Sequence, residues 1–160
     1  MRLLGIDSGE HLGWCILEQH PRELRYNVAT IKDRTSLARL ASSFIHEVKP
    51  DFIVVEGKFR RRIERMSGKA LETMEFRAYA WAVMSSYHGI DCEMVAPKTW
   101  QSYYKIGTQK NRAEVGEFYT NLARRIVGND TVPSDAAAAI LICLYGEVLL
   151  KTKNLKGSPL

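Results

Sequence analysis

With 160 residues, the chain suits one compact domain that can bury a core without disulfide or metal staples. Its apolar content of 46% comes without any run of the roughly 18 apolar residues that a membrane helix needs, which excludes a membrane-spanning segment. The net charge of +5, from 23 basic and 18 acidic residues, points toward a polyanionic partner only if the positive charges cluster.

The first apolar run, RLLGID (residues 2–7), closes on Asp7 and Gly9 and predicts a buried strand. GWCILE (13–18) predicts a second strand. LRYNVATIK (24–32) alternates apolar and polar residues and predicts a third after a turn near His20-Pro21, so the three form an antiparallel meander. From Thr35 to Val48 the apolar residues recur at helical spacing, and Pro50 ends the helix. FIVV (52–55), running into Glu56-Gly57, has the continuous apolar character of a central parallel strand. A long helix over 67–88 follows, apolar on more than one face in its second half. That second face needs a cover, either another helix of this chain or a partner subunit. IDCEMV (90–95) predicts a fifth strand, with a short helix after Pro97. A basic loop leads to a helix from about Arg112 to Ile126, and a final helix opens at Pro133-Ser134 and runs to Leu150. This order describes an α/β domain over residues 1–150. It has a five-stranded mixed sheet, an antiparallel meander followed by parallel strands, with helices on both faces. Residues 151–160 are expected to be a polar tail.

The positive charges do cluster. Lys58, Arg60, Arg61, Arg62, Arg65 and Lys69 are opposed only by Glu64, and Lys98, Lys105, Lys110 and Arg112 have no acid among them. Such segments neutralise phosphates, although a charge run also serves as a solvated face. Cys15, Cys92 and Cys143 are far apart, flanked by apolar residues and without metal-ligand spacing, as expected of core thiols in a reducing compartment. Together with an N-terminus that meets a carboxylate and glycines too early for a secretory signal, this predicts a cytoplasmic protein. The four histidines pair with no nucleophile.

Asp7 and Glu56 each end a strand. If those strands are parallel neighbours, both carboxylates emerge at one edge of the sheet, where ligands bind in open α/β sheets. Two close carboxylates repel, and a divalent cation relieves that repulsion. Asp135, in the first turn of the last helix, is placed to complete the set from a third direction. Oxygen-only ligands suit Mg²⁺ or Mn²⁺. Singly, each acid has another reading: Asp7 as a turn residue, Glu56 as an exposed strand end, and Asp135 as a helix-start residue complementing the dipole.

Four stretches carry a family resemblance. GIDSGxxxGW resembles the opening motif of the RuvC-type Holliday junction resolvases of the ribonuclease H-like superfamily. VVEGKF resembles their second acidic motif, APKTWQSYYKIGTQKNRAEV their fifth-strand exit, and PSDAAAAILICLYG their C-terminal acidic helix. The resemblance runs in order along nearly the whole chain, roughly residues 2–146. The resemblance implies a structure-specific endonuclease that cuts four-way junctions, leaving 5′-phosphate and 3′-hydroxyl ends. Asp7, Glu56 and Asp135 would hold two Mg²⁺ or Mn²⁺ ions, and a symmetric dimer would form through the 67–88 helix. It also implies that Phe59 stacks on a base near the crossover, the alternative being that it packs its loop. Lys58, Arg60, Arg61, Arg62, Lys98, Lys105, Lys110 and Arg112 would contact DNA, with Arg112 standing near the position of a family lysine. The chain departs from the family at Val132, where a second acid is common; Asp130 or water would take its place. Ser8 and Leu12 depart from the usual proline and threonine, changes expected to affect the turn more than the chemistry. A nuclease of the same superfamily acting on RNA or on flap or Y-shaped DNA, and a branched-DNA-binding protein with weak catalysis, are the alternatives.

Overall fold

The computed structural model describes residues 1–9, 11–31, 34–57, 68–106 and 111–155. The side chains of residues 34–35, 68–75, 112 and 154–155 lie outside that description. The elements in chain order are β1 (Arg2–Asp7), β2 (His11–Gln19), β3 (Arg22–Thr30), α1 (Arg34–Val48), β4 (Phe52–Glu56), α2 (Gly68–Tyr87), β5 (Asp91–Val95), α3 (Pro97–Tyr103), α4 (Arg112–Val127) and α5 (Ser134–Leu155). They build one five-stranded sheet of order β3-β2-β1-β4-β5. β1 pairs antiparallel with β2 and parallel with β4, so the meander and the parallel half join at the central strand.

The strands alternate as a doubly covered sheet requires. Leu3, Cys15, Leu17, Phe52 and Val54 face a core shared with α5, α4 and Trp100 of α3. Leu4, Ile6, Ile16, Ile53 and Val55 face the opposite core with α1 and α2. Every residue of α5 from Ala136 to Cys143 is buried. Such a helix must be covered all round, here by the sheet below and α4 beside it. Its alanines and three glycines allow the close approach. A Cβ on Gly13 would meet the backbone of Asp135, one on Gly5 would meet Cys143 and Ala139, and one on Gly146 would meet Val54. The helix therefore crosses β2, β1 and β4 in turn, with its N-terminus over β2.

Helix ends follow local chemistry. α1 stops at Lys49, which has a positive φ and precedes Pro50. Asn111 caps α4 by accepting from the Glu114 N–H at 2.9 Å, and Gly128 ends it in the left-handed conformation. α5 continues to Leu155, five residues past its expected end at Leu150. Lys151 pairs with Glu147 one turn back, and Lys153 reaches Glu93 of β5 at 2.8 Å, so the polar stretch is tied to the body. On α2, Ala78, Trp81 and Ser85 are buried. Phe76, Tyr79, Val83 and Tyr87 form an exposed stripe on the other side, where no described helix of this chain covers them. Among the described residues, no helix is long and apolar enough to cross a membrane.

Candidate functional site

Asp7 closes β1 and Glu56 closes β4. These strands are parallel neighbours whose last registered pair is Ile6 with Val55, which puts Asp7 and Glu56 side by side, one strand spacing apart at about 4.8 Å. Strand alternation turns both toward the α5 face, since Ile6 and Val55 belong to the opposite core. Asp135 arrives on the same face from the first turn of α5. Its backbone lies over Gly13, which is the cross-strand partner of Asp7. Three acids remote in sequence thus converge on one rim of the sheet, at the carboxyl ends of its two central parallel strands.

The electrostatics tie two of the three together. The Asp7 carboxyl is pushed up to about 6, chiefly by burial and also by the nearby charge of Asp135, against the lowering effect of the Gly9 N–H, which donates to Asp7 Oδ1 at 3.2 Å. Two hydrogen bonds from described residues reach Glu56. The Ser8 hydroxyl donates to its backbone carbonyl at 2.7 Å, and the Trp100 indole N–H donates to Oε2 at 2.9 Å. Among the described residues, no three Asp, Glu, His or Cys side chains form a ready-made metal cage. The donor atoms on this rim are all carboxylate oxygens, the kind a hard divalent cation takes, and positive charge there would ease the repulsion between Asp7 and Asp135 that adds to the effect of burial.

The other candidates distribute unevenly. Asp130 is exposed on the turn between α4 and α5 and is not among the groups that act on Asp7. Val132 is fully buried in the α5-side core, its carbonyl accepting from Arg124 Nε and Nη2 at 3.2 and 3.1 Å. The valine therefore serves the core. Lys98, on the first turn of α3, and Lys105, just after that helix, are both exposed. They lie on the excursion that carries Trp100 to Glu56. Lys58, Phe59, Arg60, Arg61, Arg62 and Lys110 lie outside the described residues, and Arg112 opens α4 with its side chain likewise outside. The Lys58–Arg62 segment follows directly on Gly57, whose N–H is bonded to the Val95 carbonyl at 2.9 Å.

Sequence reasoning missed two residues of this rim. Ser8 was expected to matter to the turn, yet it bridges β1 to β4. Trp100 packs the short helix on the body at 1% exposure while also holding Glu56. Nothing in the sequence pairs Trp100 with Glu56, because that contact depends on where α3 lands.

No protein-family model matches the sequence, and no curated protein sequence does either. Solved structures do. Thermus thermophilus RuvC in complex with a Holliday junction substrate is similar with a TM-score of 0.69 at 18% identity, over 95% of this chain and 96% of that one. Another structure of Thermus thermophilus RuvC gives 0.67 at 18% identity, again over 95% and 96%. The yeast mitochondrial Holliday junction resolvase Ydc2 gives 0.57 at 17% identity, over 96% and 82%. At such identities the likeness is one of fold: the mixed sheet and five helices are the ribonuclease H-like fold of RuvC.

Proposed function

We propose that this chain is a metal-dependent endonuclease that resolves four-way DNA junctions, using Asp7, Glu56 and Asp135 to hold two Mg²⁺ or Mn²⁺ ions. The observation that carries this reading is the meeting of Asp7, Glu56 and Asp135 on one face of one sheet edge, with the Asp7 carboxyl lifted by burial and by Asp135. Of the three structural neighbours named above, two are RuvC, one of them in complex with a Holliday junction substrate, and the third is a mitochondrial Holliday junction resolvase.

When bound, the ions would lower the pKa of an attacking water and stabilise charge on the leaving 3′-oxygen, giving 5′-phosphate and 3′-hydroxyl ends. The residues of this chain do the rest. Asp7 gives up its proton as positive charge arrives, so its raised pKa couples cation binding to proton release. Glu56, fixed through both backbone and side chain, presents its carboxylate in one orientation. Asp135 closes the set from a helix anchored along the whole sheet. Lys98, Lys105, Lys110 and Arg112, with Lys58 and Arg60 to Arg62, bind the phosphates around the cut, and Phe59 stacks on a base at the crossover. Asp130 stands as the candidate fourth acid in place of the missing one at Val132.

A junction has approximate two-fold symmetry, and the exposed stripe Phe76, Tyr79, Val83 and Tyr87 supports a symmetric pair of chains joined through α2. The protein would act in the cytoplasm. Cleavage of a panel containing a four-way junction, a flap, a Y-shaped duplex and an RNA–DNA hybrid tests the reading. Paired nicks on the junction with Mg²⁺, lost in Asp7→Asn and Glu56→Gln while binding persists, are expected. An uncut junction with a cut hybrid or flap would move the assignment to another nuclease of this fold.

The second reading, a branched-DNA-binding protein with weak catalysis, draws on one observation: Val132 is committed to the core where a further acid would stand. Such a protein binds junctions equally well with and without Mg²⁺ and leaves them intact.

A further inference from the structure

We propose that Trp100 is the positioning residue for Glu56: its indole N–H fixes the orientation of the carboxylate that receives the cation. This rests on the metal-site reading above and deepens it. The bond from Trp100 Nε1 to Glu56 Oε2 is 2.9 Å and lies across 44 residues of sequence. Trp100 is itself immobilised. It is 1% exposed, its ring stands edge-on to Tyr119 with centroids 6.1 Å apart, and α3 is pinned to α5 where the Tyr104 hydroxyl donates to the Leu141 carbonyl at 3.0 Å. The donor is thus built into the packed core and does not follow the carboxylate about.

Packing alone does not supply a buried indole with such a partner. Trp81, equally buried in the opposite core, has no hydrogen-bond partner for its Nε1 among the described residues. The chemistry of the donor also suits its place. An arginine or lysine there would orient Glu56 but add positive charge beside a cation site. An indole N–H orients without charge, cannot accept a proton, and takes up lone-pair direction on one oxygen only. Ser8 fixes the backbone of the same residue, so orientation is set at both ends of the Glu56 side chain. Outer partners of this kind typically contribute 10–100-fold in metal affinity.

The test is Mn²⁺ binding followed by electron paramagnetic resonance, with no nucleic acid present. It compares the whole protein with Trp100→Phe, Glu56→Gln, the double variant, and Trp14→Phe as a control whose side chain packs in the core on the other face of the sheet. Trp100→Phe is expected to weaken Mn²⁺ binding at least 10-fold. Trp14→Phe should leave it unchanged, and Trp100→Phe should add nothing once Glu56 is glutamine. Wild-type affinity in Trp100→Phe alongside a loss in Glu56→Gln would overturn the role of Trp100 and leave Glu56 as a ligand. No Mn²⁺ binding by the wild type would overturn the metal-site reading and this inference with it. Should Trp100→Phe not fold, the wild-type protein decides. Its three tryptophans give three indole N–H signals in a ¹H–¹⁵N spectrum. The signal that shifts in Glu56→Gln belongs to Trp100, and it is expected to shift on adding Mg²⁺. A set of three signals indifferent to both changes overturns the proposal.

Discussion

The backbone carbonyl of Asp135 occupies the place that a Cβ on Gly13 would need. The absence of a side chain on Gly13 is therefore what lets the start of α5 rest on β2, and through it what sets the distance from Asp135 to Asp7. The neighbour is helix backbone, not the end of a flexible side chain, so it cannot step aside cheaply. Gly13→Ala is expected to cost about 3 kcal/mol in urea unfolding and to weaken Mn²⁺ binding as well. An alanine variant of wild-type stability would mean that α5 does not sit so close.

The raised Asp7 carboxyl predicts a pH dependence in the metal-free protein. Its folded value of about 6 stands above the ordinary 3.8, so the folded chain holds this proton more tightly than the unfolded one. Its penalty is absent at pH below 3.8, grows as pH rises between the two values, and is complete above about 6. Asp7→Asn lacks that slope. At pH 7 in a chelator it should be more stable than wild type by about 2 kcal/mol, a value discounted for partial exposure. Added Mg²⁺ should stabilise the wild type only. Calorimetric Tm values from pH 4 to 8 that run parallel for the two proteins would contradict this.

An acid introduced at position 132 is expected not to be tolerated. Val132 is fully buried among α5-side core residues, so Val132→Asp places an unpaired carboxyl in an apolar site and should cost about 3 kcal/mol or more. Asp130→Asn is exposed and should leave stability within about 0.5 kcal/mol. Its Mn²⁺ affinity reads out whether Asp130 contributes a ligand: a drop supports it as the fourth acid, and an unchanged value assigns that place to water.

The stripe on α2 predicts an assembly. Tyr79 and Val83 are 54% and 56% exposed, so replacing both with glutamate removes little that the isolated fold needs. Tyr79→Glu/Val83→Glu should keep the thermal midpoint of a folded monomer while halving the mass seen by sedimentation equilibrium, and paired nicking should give way to single nicks. An unchanged mass removes α2 as the interface.

Most of the fold was legible because its signals are local and periodic. The alternation in LRYNVATIK is what a strand with unequal faces requires, and FIVV is apolar on both sides because β4 is covered on both. The rim was legible for Asp7 and Glu56, since both end strands that the element order makes parallel neighbours. Other features depend on tertiary placement. The polar stretch after Leu150 carried no sign that Lys153 would find Glu93 and that the helix would continue to Leu155. The sequence showed an acid missing at Val132 but not that Arg124 would hold its carbonyl within the core. The Trp100–Glu56 and Ser8–Glu56 bonds each span more than 40 residues, beyond the reach of any pattern in spacing.

β1 is the middle strand of the sheet, hydrogen-bonded along both sides and roofed by α5. An acid mounted there is carried by backbone paired along both edges. Asp7 is therefore expected to keep its place until the sheet itself opens, so warming should abolish Mn²⁺ binding in step with melting of the whole domain.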